Sequence, residues 1–141
     1  MSLKRIGITG VLAACLGAVG GASAVSGQEN RGPGEIFSAP LADMPGKRLV
    51  VVELRWPPRQ EGQAAARGHR HPGSVWVYVT SGTARLGLAG QPVREVKAGE
   101  SFFEPLGAIH TVGGSASTTE PATAIAVMIV PEGAPLVTPV E

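Results

Sequence analysis

The sequence predicts an all-β domain built as an antiparallel sandwich or barrel. Short runs of β-branched and aromatic residues recur along the chain, among them KRLVVVELRW, VWVYVT and TAIAVMIV, at the ~8–12-residue spacing such folds show. Gly and Pro, 20 and 12 of the 141 residues, fall largely between those runs as turn formers. No segment repeats its apolar residues at the helical period. A chain of this length makes one domain, and 43% hydrophobic residues suffice for a core.

Residues 1–24 read as a secretory signal. Lys4 and Arg5 form a basic start, Ile6–Val19 is an apolar run, and Ala22-Ser23-Ala24 offers the small-x-small site that signal peptidase cuts. A periplasmic or secreted protein is therefore expected. Leu12-Ala13-Ala14-Cys15 also matches a lipobox, which would leave an acylated Cys15 as the new N terminus and GAVGGASAVSG as a tether. Both processing routes stand. The apolar run is too short and too Gly-rich for a membrane span. Cys15 is the only cysteine, so the folded domain has no disulfide to staple it.

Residues 25–44 are expected as a flexible lead-in, 45–132 as the barrel and 133–141 as a C-terminal tail. Ser26–Glu35 is polar and Gly-rich. Lys47–Trp56 is the first long strand, stopped by Pro57-Pro58, and residues 59–68 form a loop. Gly68 allows a sharp entry to the histidines that follow. Val75–Thr80 is a strand of β-branched and aromatic residues, which Ser81-Gly82 turns back into Thr83–Leu88. Ala89-Gly90 and Ala98-Gly99 then separate Pro92–Lys97 from its neighbours, and Ser101–Glu104 follows. Thr123–Val130 is almost wholly apolar and belongs in the middle of a sheet. The Pro-rich tail wraps the surface.

Charge excludes some partners. Of 12 basic residues, Lys4 and Arg5 lie in the signal, leaving 10 against 11 acidic and a net charge of −1. Without a basic stripe, nucleic acid and anionic membrane surfaces are poor partners. A small-molecule ligand or substrate is the expected one.

All three histidines sit in two short stretches. His69 and His71 lie in GHRHPGSVWVYVTSG, and residues i and i+2 of a strand point to one face, within reach of a common ion. Imidazole suits zinc, copper, iron or nickel. His110 ends GESFFEPLGAIH. Together these stretches resemble the two motifs of the cupin superfamily, G-x5-H-x-H-x3,4-E-x6-G and G-x5-P-x-G-x2-H-x3-N. His69, His71, Gly82, Gly99, Pro105, Gly107 and His110 all fall on motif positions, with sixteen residues between Gly82 and Gly99. The resemblance covers roughly residues 45–132. It implies an antiparallel double-stranded β-helix, or jelly-roll barrel, holding a divalent metal ion (iron, manganese, nickel, zinc or copper) on His69, His71 and His110.

The departures carry chemistry. The first motif glycine falls at Gln63, with Gly62 one position off, and the final Asn is Gly114. The motif glutamate falls at position 75, which is Val75. Three neutral imidazoles would leave an ion its full charge and favour an anionic, bidentate guest. Glu104, after two phenylalanines and before Pro105, is a candidate substitute ligand, since a carboxylate in so apolar a run is costly to bury unless paired or metal-bound. The alternative is an exposed strand-end glutamate bridged to Arg94 or Lys97. Alternation groups Glu104 with Phe102 and Ser101 with Phe103, without saying which pair faces in.

Val77 and Val79 share the parity of the histidines and are expected to line an apolar cavity; Trp76 and Tyr78 point the other way, as packing or dimer-interface residues. Arg70 faces away from the metal, and Phe103 and Met128 are expected in the core. By resemblance, the leading function is a metal-dependent dioxygenase of the quercetinase or diketone-cleaving kind, acting on an anionic chelating small molecule. The alternative is a non-catalytic, metal-dependent module or sensor that binds a small ligand or carbohydrate. A sugar-phosphate isomerase would want basic residues where valines stand. Resemblance also implies a homodimer paired through sheet edges, with Glu35–Phe37 as an exchanged strand.

Overall fold

The computed structural model of the chain describes residues 34–62 and 67–140. The signal, Cys15 and Gln63 lie outside them. Among the described residues every regular element is a strand: β1 (Glu35–Pro40), β2 (Lys47–Trp56), β3 (His69–Arg70), β4 (Val75–Ser81), β5 (Thr83–Leu88), β6 (Arg94–Lys97), β7 (Ser101–Glu104), β8 (His110–Ser115), β9 (Ala122–Pro131) and β10 (Thr138–Pro139). No helix among them is long and apolar enough to cross a membrane.

The strands make two five-stranded sheets, each antiparallel throughout. Sheet A runs β1-β2-β9-β4-β7 and sheet B runs β10-β3-β8-β5-β6. Consecutive strands cross repeatedly from one sheet to the other, the winding of a jelly-roll barrel. The apolar β9 lies at the centre of sheet A, paired with β2 on one side and β4 on the other. Its alternate residues Ala122, Ala124, Ala126, Met128 and Val130 are buried. All but Ala122 meet Val50, Val75, Val77 and Val79 of sheet A and Ala84, Leu86 and Leu88 of sheet B in one core.

Several expectations change. Residues 35–40 belong to no flexible lead-in: β1 pairs with β2 of its own chain, from Glu35↔Val52 to Pro40↔Arg48. The pairing is reinforced at Arg48, whose guanidinium donates to the Glu35 carboxylate at 3.3 Å and the Ser38 hydroxyl at 2.9 Å. The tail contributes β10. The histidines do not open the strand that holds Val77 and Val79; Pro72–Ser74 carries the chain from β3 in sheet B to β4 in sheet A. Phe103 is not core. It is 57% exposed, because β7 turns Phe102 and Glu104 inward.

Candidate metal centre

Sheet B brings the histidines together. His69 on β3 stands directly opposite His110 on β8, and their ring centroids lie 5.0 Å apart. His71, two residues beyond His69, places its ring 4.9 Å from that of His69 and 6.2 Å from that of His110. One ligand nitrogen from each of the three lies within 4.8 Å of the others. Two donors ~2.1 Å from a shared ion stand at most ~4.2 Å apart, so closing on an ion asks the rings for shifts of some tenths of an ångström.

Hydrogen bonds decide which nitrogens face inward. A carbonyl only accepts, so His71 Nδ1–H donates to the Leu136 carbonyl at 2.7 Å and leaves Nε2 bare. His110 Nε2–H donates to the Val112 carbonyl at 2.7 Å and leaves Nδ1 bare. Gly113 makes room for that ring: a Cβ there would lie 3.3 Å from His110 Cε1.

Sheet A supplies the carboxylate. Glu104 is 4% exposed, and its Oε2 lies 3.6 Å from both His71 Nε2 and His110 Nδ1. Its cross-strand neighbour on β4 is Val75, the position where a motif carboxylate was expected. The carboxylate has thus moved one strand sideways while keeping its place beside the histidines. Among the described residues its close ionisable neighbours are the histidines, and the expected bridge to Arg94 or Lys97 is not the contact it makes.

Burial governs the charge states. It lowers the His71 imidazole below its ordinary value and takes His110 down to about 4, against the upward pull of their carbonyl partners. Burial also pushes the Glu104 carboxyl up to about 7. At neutral pH two uncharged imidazoles therefore aim lone pairs at one oxygen of a carboxyl that is about half ionised. At 3.6 Å these are not hydrogen bonds. A cation complements such a donor set, and neutral imidazole with carboxylate suits a divalent transition ion.

Other expected residues fall elsewhere. Val77 and Val79, on β4 of sheet A, are fully buried in the core. Trp76 and Tyr78 point out of sheet A, as expected, stacked at 5.7 Å. Arg70 is exposed and donates to the Gly107 carbonyl, tying β3 to the turn before His110. Sequence reasoning missed Leu136, whose part is played by its backbone, and Gly113, whose part is an absent side chain. Neither leaves a motif.

A two-sheet jelly roll that gathers three imidazoles at one end defines a class, the small β-barrel proteins with a histidine cluster between their layers. The chain belongs to the cupin domain family, whose profile matches residues 58–128, just over half its length. Solved structures agree on the fold. A cupin-like protein from Thermotoga maritima is 23% identical over 65% of this chain and 64% of its own, with a TM-score of 0.53. An uncharacterized conserved protein with a double-stranded β-helix domain from Klebsiella pneumoniae is 22% identical over 76% and 81%, with a TM-score of 0.54. Oxalate decarboxylase from Bacillus subtilis is 21% identical over 65% of this chain and 24% of its own, with a TM-score of 0.52. The match thus spans less than two thirds of the Thermotoga chain and about a quarter of the decarboxylase. Among curated proteins none matches significantly.

Proposed function

We propose that this cupin is an exported, metal-dependent enzyme that acts on a small anionic chelating molecule with dioxygen, in the manner of quercetinases or diketone-cleaving dioxygenases. His69, His71, His110 and Glu104 hold the divalent ion. The observation that carries this reading is the convergence of bare imidazole nitrogens on a buried carboxylate oxygen, 3.6 Å from each of two rings. A bound divalent ion would supply Lewis-acid polarisation of the substrate and, if redox-active, a partner for dioxygen. The chain's own residues orient it. The Leu136 and Val112 carbonyls hold the two rings in register, and Val75 and Phe102 keep apolar surface beside Glu104.

One observation favours a second reading, a binding cupin without catalysis. The buried polar side chains among the described residues are Glu35, Glu104, His110 and Ser115. Glu35 pairs with Arg48, and the Ser115 hydroxyl donates to the Glu120 carbonyl, so no spare buried proton-transfer group stands outside the metal cluster. Elemental analysis separates the metal reading from its failure, and oxygen uptake separates enzyme from binder. The purified protein should carry about one divalent ion per chain, lost when His69 and His71 are both replaced by Ala. Reconstituted with Fe(II), Ni(II) or Mn(II), it should consume oxygen with a flavonol, a diketone or a thiol. Metal retained after the double substitution refutes the site, while metal without oxygen uptake across the panel transfers the assignment to the binding module.

We also infer a homodimer. Its support is the outer face of sheet A, where Phe37, Trp76 and Phe103 are exposed together.

A further inference from the structure

Beyond Pro131 the chain leaves sheet A, turns at Glu132-Gly133 and crosses to sheet B. There β10 pairs with β3, Thr138 opposite Arg70 and Pro139 opposite His69. The Val140 N–H donates to the Gly68 carbonyl at 3.0 Å. Midway, Leu136 packs half-buried against the core and turns its carbonyl onto His71 Nδ1. Gly68 lets the segment come this close. A Cβ there would stand 3.0 Å from the Cγ2 atoms of both Ile109 and Val140, so the glycine serves a close approach and not the sharp turn its position suggests.

The strand under this segment needs support. β3 is two residues long, and its pairing with β8 is the single register His69↔His110. On its other side it meets only β10.

We propose that residues 134–140 are a positioning strap for the metal centre, with the Leu136 carbonyl holding the His71 proton on Nδ1 so that Nε2 faces Glu104 and His110. The proposal rests on the metal-binding reading above. The strap touches no reacting atom; it acts through His71. A hydrogen-bond partner behind a metal-binding imidazole typically contributes ~10–100-fold in metal affinity. Linkage makes the effect reciprocal: whatever the docked strap adds to metal affinity, the bound metal adds to strap docking.

The test compares the full chain with one ending at Gly133, with zinc alone as the probe. In the metal-free full chain, the ring ¹⁵N signals of His71 should report the proton on Nδ1, and the truncated chain should lose that form. Zinc should bind the truncated chain ~10–100-fold more weakly. In the full chain, zinc should slow hydrogen exchange at the Val140 N–H by a similar factor. An unchanged His71 tautomer, zinc affinities within about twofold of each other, or Val140 exchange indifferent to zinc would each overturn the strap. If the truncated chain fails to fold, the tautomer and exchange of the full chain decide. A full chain that takes up no zinc sinks the metal reading and the strap with it, whereas equal zinc binding by both chains sinks the strap alone.

Discussion

On β7 a glutamate points into the protein and a phenylalanine points out of it. Phe103 is 57% exposed while Glu104, its neighbour, is buried. Hydrophobicity does not choose this arrangement, since either face of SFFE presents one phenylalanine and one polar residue. Turning Ser101 inward would bury a smaller polar group, whereas an unpaired buried carboxylate costs several kcal/mol, on the order of 2–7 even for a neutral polar group. The costlier face is adopted, and what it gains is a carboxylate beside two bare imidazole nitrogens. Local rules broken in this way mark functional sites. Glu104→Gln should therefore loosen metal retention by ~10-fold or more, measured by chelator competition. The transposed variant Val75→Glu/Glu104→Val should recover most of it, because the two positions face each other across β4 and β7. A transposed protein no better than Glu104→Gln alone would show that the ion does not sit between the strands. The identities of these residues were legible in the sequence; their direction was not, because alternation defines two faces without naming the inner one.

At the scale of elements, six strands could be read from the sequence, and Lys47–Trp56 agrees to the residue. β1 and β10 could not. EIFSAP lacks clean alternation and ends in Pro40, which an edge strand tolerates because its outer side needs no ladder hydrogen bond. β1 becomes a strand only because the longer β2 presents an open edge, and β10 only because the two-residue β3 leaves one side unpaired. Register then builds a feature no single strand shows. Phe37, Val51, Val127, Trp76 and Phe103 line up across all five strands of sheet A on its outer face. At ~3.3 Å per residue and ~4.8 Å between strands, the strands of sheet A present about 590 Å², of the order of the ~800 Å² that each partner of a standard interface covers. The homodimer inferred above would bury this face. Light scattering should report a dimer, and Trp76→Arg/Phe103→Glu should give a folded monomer with its metal retained. A wild-type monomer at micromolar concentration would discard the interface.

At the scale of the whole molecule, the export assignment rests on residues 1–24 alone. Cleavage after Ala24 predicts an intact mass beginning at Val25 and a protein free in the periplasmic or culture fraction. Acylation at Cys15 predicts a heavier, membrane-associated form, and an uncleaved chain in the cytoplasm would refute both. The amino-acid sequence by itself determined the all-β class, the order of the main strands and the three imidazoles, because apolar alternation, turn residues and motif spacing are local properties of a chain. Tertiary structure alone decided that Glu104 faces inward opposite Val75, that Leu136 and Val112 set the tautomers of two rings, and that five side chains from five strands form one apolar row. Each of these depends on which distant segments become neighbours, and that follows from how the two sheets close over a shared core.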